Sequence, residues 1–313
     1  MLTITNSTTR QTDLIIGIDH GYGNIKTANT CFRAGVAAYD KEPIFAGDIL
    51  KYDDVYYSIG EEHKEFIADK MTDQDYYILT LAAIAKELEA ADLHAADVYL
   101  AVGLPLTWVS EQKERFRKYL LQKRDPAFVY KGNLYFITIR GVEVFPQGFA
   151  AIADKLPEFK GTTMLCDIGN GTMNIMTVSN GKPNPQKCFT EKYGTYQCML
   201  AVREQLLRKF GTVVDDDIVE DVLRKGTADI SEQYLTVIQE TAKRYVDGIM
   251  RRLREHEYNP ELMKLYIVGG GGCLIRNFAE YDTTRVTIND DICATAKGYE
   301  FLAGLRLKKV KSA

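Results

Sequence analysis

Two rhythms of apolar and polar residues take turns along this chain. Short apolar runs predict strands over 14–19, 22–29 and 54–59. Apolar residues recur every third or fourth position in DQDYYILTLAAIAKELEAA, which predicts a helix over 73–91. DVYLAVGLPL reads as a strand running into a proline turn. EQKERFRKYLLQ, 111–122, reads as a helix with Ser110 as its N-cap. AFVYKGNLYFITI carries two strands around a Gly132-Asn133 turn. VEVFPQGFAAIADKL gives a strand, a proline break and a helix beginning at Gln147. At 162 the pattern restarts: TTMLCDIGNGTMNIMTVSNGK is strand, glycine turn, strand and an Asn180-Gly181 hairpin turn. Helices are predicted at about 195–210, 215–225 and 231–257. A strand over 263–272 ends on four glycines, and a last helix covers about 291–307. Strands followed by helices, twice over, predict an α/β chain of two related halves joined near 157–161.

The two halves share an element that carries chemistry. IIGIDHGYGNIK and MLCDIGNGTMNI each run from an apolar strand into Asp-x-Gly-x-Gly. Asp19, Gly21 and Gly23 correspond to Asp167, Gly169 and Gly171, 148 residues apart. Glycines permit positive φ and close approach of the backbone to a ligand. Consecutive N–H groups in such turns form anion-binding nests. Two nests facing across a cleft can clamp the phosphates of one nucleotide. Asp19 and Asp167 suit Mg²⁺ held mainly through water, bridging those phosphates. Lys26 can swing back as a phosphate counter-charge. Gly269, Gly270, Gly271 and Gly272 end a strand before a helix, where N–H groups face a nucleoside or its α-phosphate. Gln147, at the start of the segment after VEVFP, can orient an attacking water.

The bulk numbers narrow the classes. With 313 residues, 46% hydrophobic and 26% charged, the chain can form two lobes with substantial cores. No apolar run approaches the roughly 20 residues that span a bilayer, and residues 1–12 lack the apolar stretch of a signal peptide. A cytoplasmic protein with a loose N-terminal tail is expected, with no membrane partner. A net charge of −4 argues against broad non-specific nucleic-acid binding. The basic run 306–311 reads as a solvated helix end. Six cysteines without metal-like spacing are expected to be buried, reduced thiols.

In this order the pieces DHGYGNIK, VFPQGFAAI, DIGNGTMNI, IVGGGG and DICATAKGYEFLAGL resemble the actin-like ATPase superfamily over 13–307. Within it, ID-x-G-x-x-NIK, LPLT (104–107) before a basic helix, and VFPQG resemble the plasmid-segregation actins of the ParM type most closely. The resemblance implies a duplicated, ribonuclease H-like two-lobed α/β fold with a nucleotide cleft between the lobes. Lobe I would span 13–157, with a small subdomain at roughly 31–70, completed by the helix 291–307. Lobe II would span 161–290, with a helical subdomain at roughly 191–258. Gly21, Tyr22, Gly23, Asn24 and Lys26 would meet the β and γ phosphates of ATP or GTP from one side. Gly169, Asn170, Gly171 and Thr172 would meet them from the other, with Asp19 and Asp167 on Mg²⁺, Gln147 on the water and Arg224 near the base. The implied activity is a nucleoside triphosphatase coupled to polymerisation. Its partners would be further copies of the chain and a DNA-bound adaptor, with no direct contact to DNA. Two departures stand out. Gln147 stands where many ParM-type proteins carry Glu, which bears on hydrolysis more than on binding. His20 stands where small or acidic residues are usual and is read as a turn residue facing solvent. A small-metabolite phosphotransferase and a cell-shape or scaffold actin are the alternatives.

Overall fold

The computed structural model describes residues 13–44, 47–61 and 70–311. The tail 1–12 and part of the expected small subdomain lie outside the described residues. In chain order the first half holds β1 (Asp13–His20), β2 (Asn24–Lys26), β3 (Cys31–Arg33), β4 (Val36–Tyr39), β5 (Asp48–Tyr52), β6 (Val55–Ile59), α1 (Asp75–Ala90), β7 (Ala95–Leu104), α2 (Val109–Leu120), β8 (Ala127–Tyr130) and β9 (Asn133–Pro146). The second holds β10 (Thr162–Ile168), β11 (Met173–Ser179), β12 (Lys182–Glu191), α3 (Thr195–Phe210), α4 (Asp216–Lys225), α5 (Glu232–Glu255), β13 (Lys264–Val268), α6 (Gly272–Phe278), β14 (Val286–Ile288) and α7 (Ala294–Lys311).

The duplication read from the sequence is a duplication of topology. One sheet runs β3-β2-β1-β7-β9-β8-β5-β6-β4, the other β12-β11-β10-β13-β14. In each, a central strand (β1 or β10) pairs antiparallel with the strand after its glycine turn. On its other side it pairs parallel with a strand reached through a helical crossover. Strands buried on both faces explain the unbroken apolar runs of β7 and β10. The first core gathers α1, buried along its whole central length, against β1 and β7. The second sets α3, α4 and α5 on β10 and β13.

Local chemistry accounts for most boundaries. Asp215 caps α4 by accepting from Asp217 N–H at 2.8 Å, and Gly226 ends it at φ +81°. Asn180 and Gly181 both take positive φ, as a two-residue hairpin turn requires. By the same criterion the earlier turn is Lys131-Gly132, one residue before the predicted pair. Ser110 lies inside α2, whose cap position is Trp108. The predicted strand 22–29 is only the short β2, and β3 follows it beyond the predicted range. The predicted helix after Gln147 is two 3₁₀ turns, Ala150–Ile152 and Leu156–Glu158. Gly148 at φ +74° and Pro157 leave no room there for a regular helix. The last helix begins at Ala294, three residues later than predicted. It lies close enough to β1 that a Cβ on Gly17 would be 2.1 Å from Ala296 O. All six cysteines are free, but only Cys166 and Cys198 are buried; Cys31 is exposed.

Candidate functional site

Both glycine turns lie at the same end of their central strands. Asp19 and Asp167 are each 7% exposed. In the ladder Asp19 pairs with Lys26, and Asp167 with Asn174. Lys26 Nζ donates to Asp19 Oδ2 at 3.3 Å, and Asn174 Nδ2 donates to Asp167 Oδ2 at 3.4 Å. Lys26 and Asn174 are separated by the same interval as the two aspartates, so one duplicated position holds a cation in one half and an amide in the other. The motif reading passes over Asn174, although the repeat offset points to it. Its Oδ1 also accepts from Leu106 N–H at 3.0 Å and Thr190 Oγ1 at 2.9 Å, which ties Asp167 to the LPLT segment.

The segment after β9 joins the two halves. Gln147 N–H donates to Leu104 O at 2.9 Å, which turns the side chain so that Nε2 donates to Asp19 Oδ1 at 3.0 Å. The next residue faces the other aspartate: a Cβ on Gly148 would be 3.2 Å from Asp167 Cβ. Asp19, Gln147 and Asp167, chosen from three separate motifs, therefore meet at one place.

The loops close around that place. Gly21 N–H donates to Asp19 O at 2.9 Å. Across the cleft, Gly169 N–H donates to Thr172 O at 2.9 Å. The start of α3 holds the second loop through Thr195 N–H to Gly169 O (3.0 Å) and Tyr196 N–H to Asn170 O (2.9 Å). A Cβ on Gly23 would come within 2.9 Å of the Asn170 amide, so the loops touch across the cleft. Asn24 opens β2, and Gly171 and Thr172 are buried in the second turn. The glycine run divides in two. A Cβ on Gly269 would lie 2.6 Å from Asp167 Oδ1, and Gly270 is open, whereas Gly271 and Gly272 pack on Ile168 and Ile288. Arg224 belongs to the neighbourhood of this run. Its carbonyl accepts from Asn277 Nδ2 at 2.9 Å, and its guanidinium pairs with Asp221 at 2.8 Å. A surface hollow of about 380 Å³ lined by Gly226, Gln239, Lys243, Asn277 and Glu280 shares none of the phosphate-loop residues.

Charge is concentrated here. Burial, reinforced by Asp19, pushes the Asp167 carboxyl up to about 7, while Lys26 and Asn174 pull the other way. Burial alone would lower the Lys26 ammonium, but Asp19 and Asp167 outweigh it and raise it.

Two residues depart from the sequence reading. His20 is fully buried instead of facing solvent. It ends β1 with its side chain turned into the core, in edge contact with Phe116 and Tyr76. Thr80 Oγ1 donates to Tyr76 O, so it accepts from His20 Nε2 at 2.8 Å. Burial and the nearby Lys70 charge hold the imidazole down at about 3, hence neutral. Lys70, which no motif flags, is 1% exposed and donates to the His20 carbonyl. Its ammonium lies 4.9 Å from the Tyr22 ring and 5.5 Å from the Tyr76 ring, an aromatic enclosure directly behind the first loop.

Burial, with Lys26 nearby and Asp19 opposing, lowers the Lys70 ammonium to about 8. An unfolded chain keeps that proton up to about pH 10. The charge therefore weighs against folding below about pH 8, and stability rises as pH climbs above it. Urea unfolding at about pH 7 and about pH 10 is expected to show wild type gaining on Lys70→Met by on the order of 2 kcal/mol. A constant difference would place Lys70 in water.

Residues 17–149 match the family described as actin like proteins N terminal domain, and 165–280 match the archaeal actin homologue MreB-like C-terminal family. The fold is similar to a 15-stranded ParM filament from Clostridium botulinum, at 16% identity and a TM-score of 0.74, over 93% of this chain and 99% of that one. It is similar to the archaeal actin homologue Ta0583 in complex with ADP, at 20% identity and a TM-score of 0.70, over 93% and 99%. It is also similar to Bacillus thuringiensis ParM with ATP, at 14% and 0.66, over 93% and 98%. No curated protein matches the sequence. With its two sheets built alike and each half matched by an actin-like family, the chain belongs to the actin-like superfamily, and its fold is the duplicated two-lobed α/β fold that ParM proteins and archaeal actin homologues share.

Proposed function

We propose that the chain binds a nucleoside triphosphate with Mg²⁺ between its lobes, hydrolyses it, and assembles into filaments that move plasmid DNA through a DNA-bound adaptor. The observation that carries this reading is the meeting of Asp19, Gln147 and Asp167 beside two glycine turns that touch across the cleft. The related folds with ATP or ADP, and the related fold seen as a filament, support it.

The donor set fits a divalent cation. Two buried carboxylates face each other closely enough that one raises the other's pKa, a repulsion that a cation relieves. Among the described residues no three His, Cys, Asp or Glu side chains converge, so water and phosphate would complete the shell. When bound, Mg²⁺ would neutralise charge on the β and γ phosphates. The chain's own residues do the rest. N–H groups of both turns hold phosphate oxygens, and Lys26 adds a positive charge from the first lobe. Gln147, released from Asp19, holds the attacking water by its amide. Asn174 fixes Asp167 against the LPLT segment, so the two lobes are set relative to each other at the reacting phosphate.

Light scattering and phosphate release, followed together after adding ATP or GTP with Mg²⁺, test the reading. Scattering is expected to rise and then decay as phosphate appears. Monomer at every protein concentration would remove the filament. Phosphate release stimulated by a small metabolite would favour a phosphotransferase. Among the described residues no helix is long and apolar enough to cross a membrane.

A further inference from the structure

A tyrosine from the last helix reaches the foot of this cleft. Asp19 follows Ile18, which pairs with Val102, so the neighbour of Asp19 on β7 is Gly103. Gly103 pairs in turn with Phe145 on β9. These three positions form a row across adjacent strands, at the end where Gln147 donates to Asp19. The middle position has no side chain, and Tyr299 fills it. A Cβ on Gly103 would be 1.8 Å from the Tyr299 hydroxyl. The ring stacks on Phe145, 6.1 Å between centroids, and the residue is 0% exposed. Among the described residues the hydroxyl has no hydrogen-bond partner, a costly arrangement for a buried polar group. The charged groups near enough to act on it are Asp19 and Asp167. Burial and those two carboxylates push the phenol well above its usual value, so it stays a neutral donor.

We propose that Tyr299 is a positioning residue whose hydroxyl donates a hydrogen bond to a water at the foot of the cleft, shared with Asp19, Asp167 and Gln147, and through it places the attacking water. The assignment rests on the nucleotide-hydrolysis reading above. It gives Gly103 a purpose: any side chain there would displace the hydroxyl. It also gives α7 a part in the chemistry as well as in closing the first lobe.

Tyr299→Phe keeps the ring and removes only the hydroxyl. Three quantities are measured on wild type and variant: kcat and KM for nucleotide hydrolysis, and the melting temperature of the nucleotide-free protein in EDTA. The expected result is kcat about tenfold lower with KM within about twofold, and a nucleotide-free melting temperature equal to or above wild type. The stability arm follows because the deleted hydroxyl has no partner to lose among the described residues. An unchanged kcat overturns the assignment. So does a lower nucleotide-free melting temperature, up to failure to fold, because the hydroxyl would then be structural. If wild type itself neither binds nor hydrolyses nucleotide, the reading above fails first and takes this assignment with it.

Discussion

Asp167→Asn is expected to reduce phosphate release at least about 100-fold while making the nucleotide-free protein harder to unfold near pH 8. The two effects share one cause. Burial and the Asp19 charge push the Asp167 carboxyl up to about 7 in the folded chain. An unfolded aspartate titrates near about 3.9. Between those values the folded chain holds a proton that the unfolded chain has released. The contribution of this group to stability is therefore greatest at low pH and falls as pH rises towards about 7, where the ionised carboxylate costs on the order of a few kcal/mol. Asparagine keeps the shape and the contact with Asn174 without the charge, so the penalty disappears along with the carboxylate proposed to hold the cation. Unfolding in EDTA from about pH 5 to about pH 8 checks the sign: wild type should lose stability relative to the variant as pH rises. Parallel curves, or unimpaired turnover in the variant, would mean that Asp167 is not the carboxylate that works at the phosphate.

Gln147→Ala is expected to separate binding from hydrolysis. The Gln147 side chain donates to Asp19 and belongs to neither glycine turn, so its loss should leave nucleotide affinity within a few-fold of wild type. Without an amide to orient water, phosphate release should slow about 100-fold. Filaments of the variant should form and persist, because the step that ages the bound nucleotide is the one removed. A stopped-flow phosphate assay beside sedimentation reads both. Loss of binding in step with turnover would make Gln147 part of the phosphate clamp instead.

Much of this site is legible in the sequence because it is local. Asp-x-Gly-x-Gly after an apolar strand specifies a turn and a carboxylate within a few residues, and its recurrence announces the duplication; the nests expected there do not form by positive φ, since none of Gly21, Gly23, Gly169 and Gly171 adopts it. Gln147 is legible because the proline before it ends a strand. The residues that were missed depend on pairing that only the fold creates. Asn174 matters because β11 lies antiparallel to β10 in a register that sets it opposite Asp167. Lys70 matters because its chain segment passes behind the first loop, fifty residues downstream of the carbonyl it bonds. His20 was misread because a residue beside a glycine turn is usually exposed, whereas this one still belongs to the strand and faces α1. Tyr299 needs both a helix from the far end of the chain and a glycine on β7. β4 and β5 also escape the pattern: β4 is a short run of four residues, almost all exposed, and Asp48 and Lys51 break up the apolar positions of β5.

The most direct measurement is equilibrium titration of the purified chain with ATP and with GTP, with Mg²⁺ and again in EDTA, for wild type and Asp167→Asn. The account predicts one nucleotide per chain, bound at least about tenfold more tightly with Mg²⁺ than without, and loss of that Mg²⁺ advantage in the variant. Absence of binding by either nucleotide, or binding indifferent to both Mg²⁺ and Asp167, would contradict it.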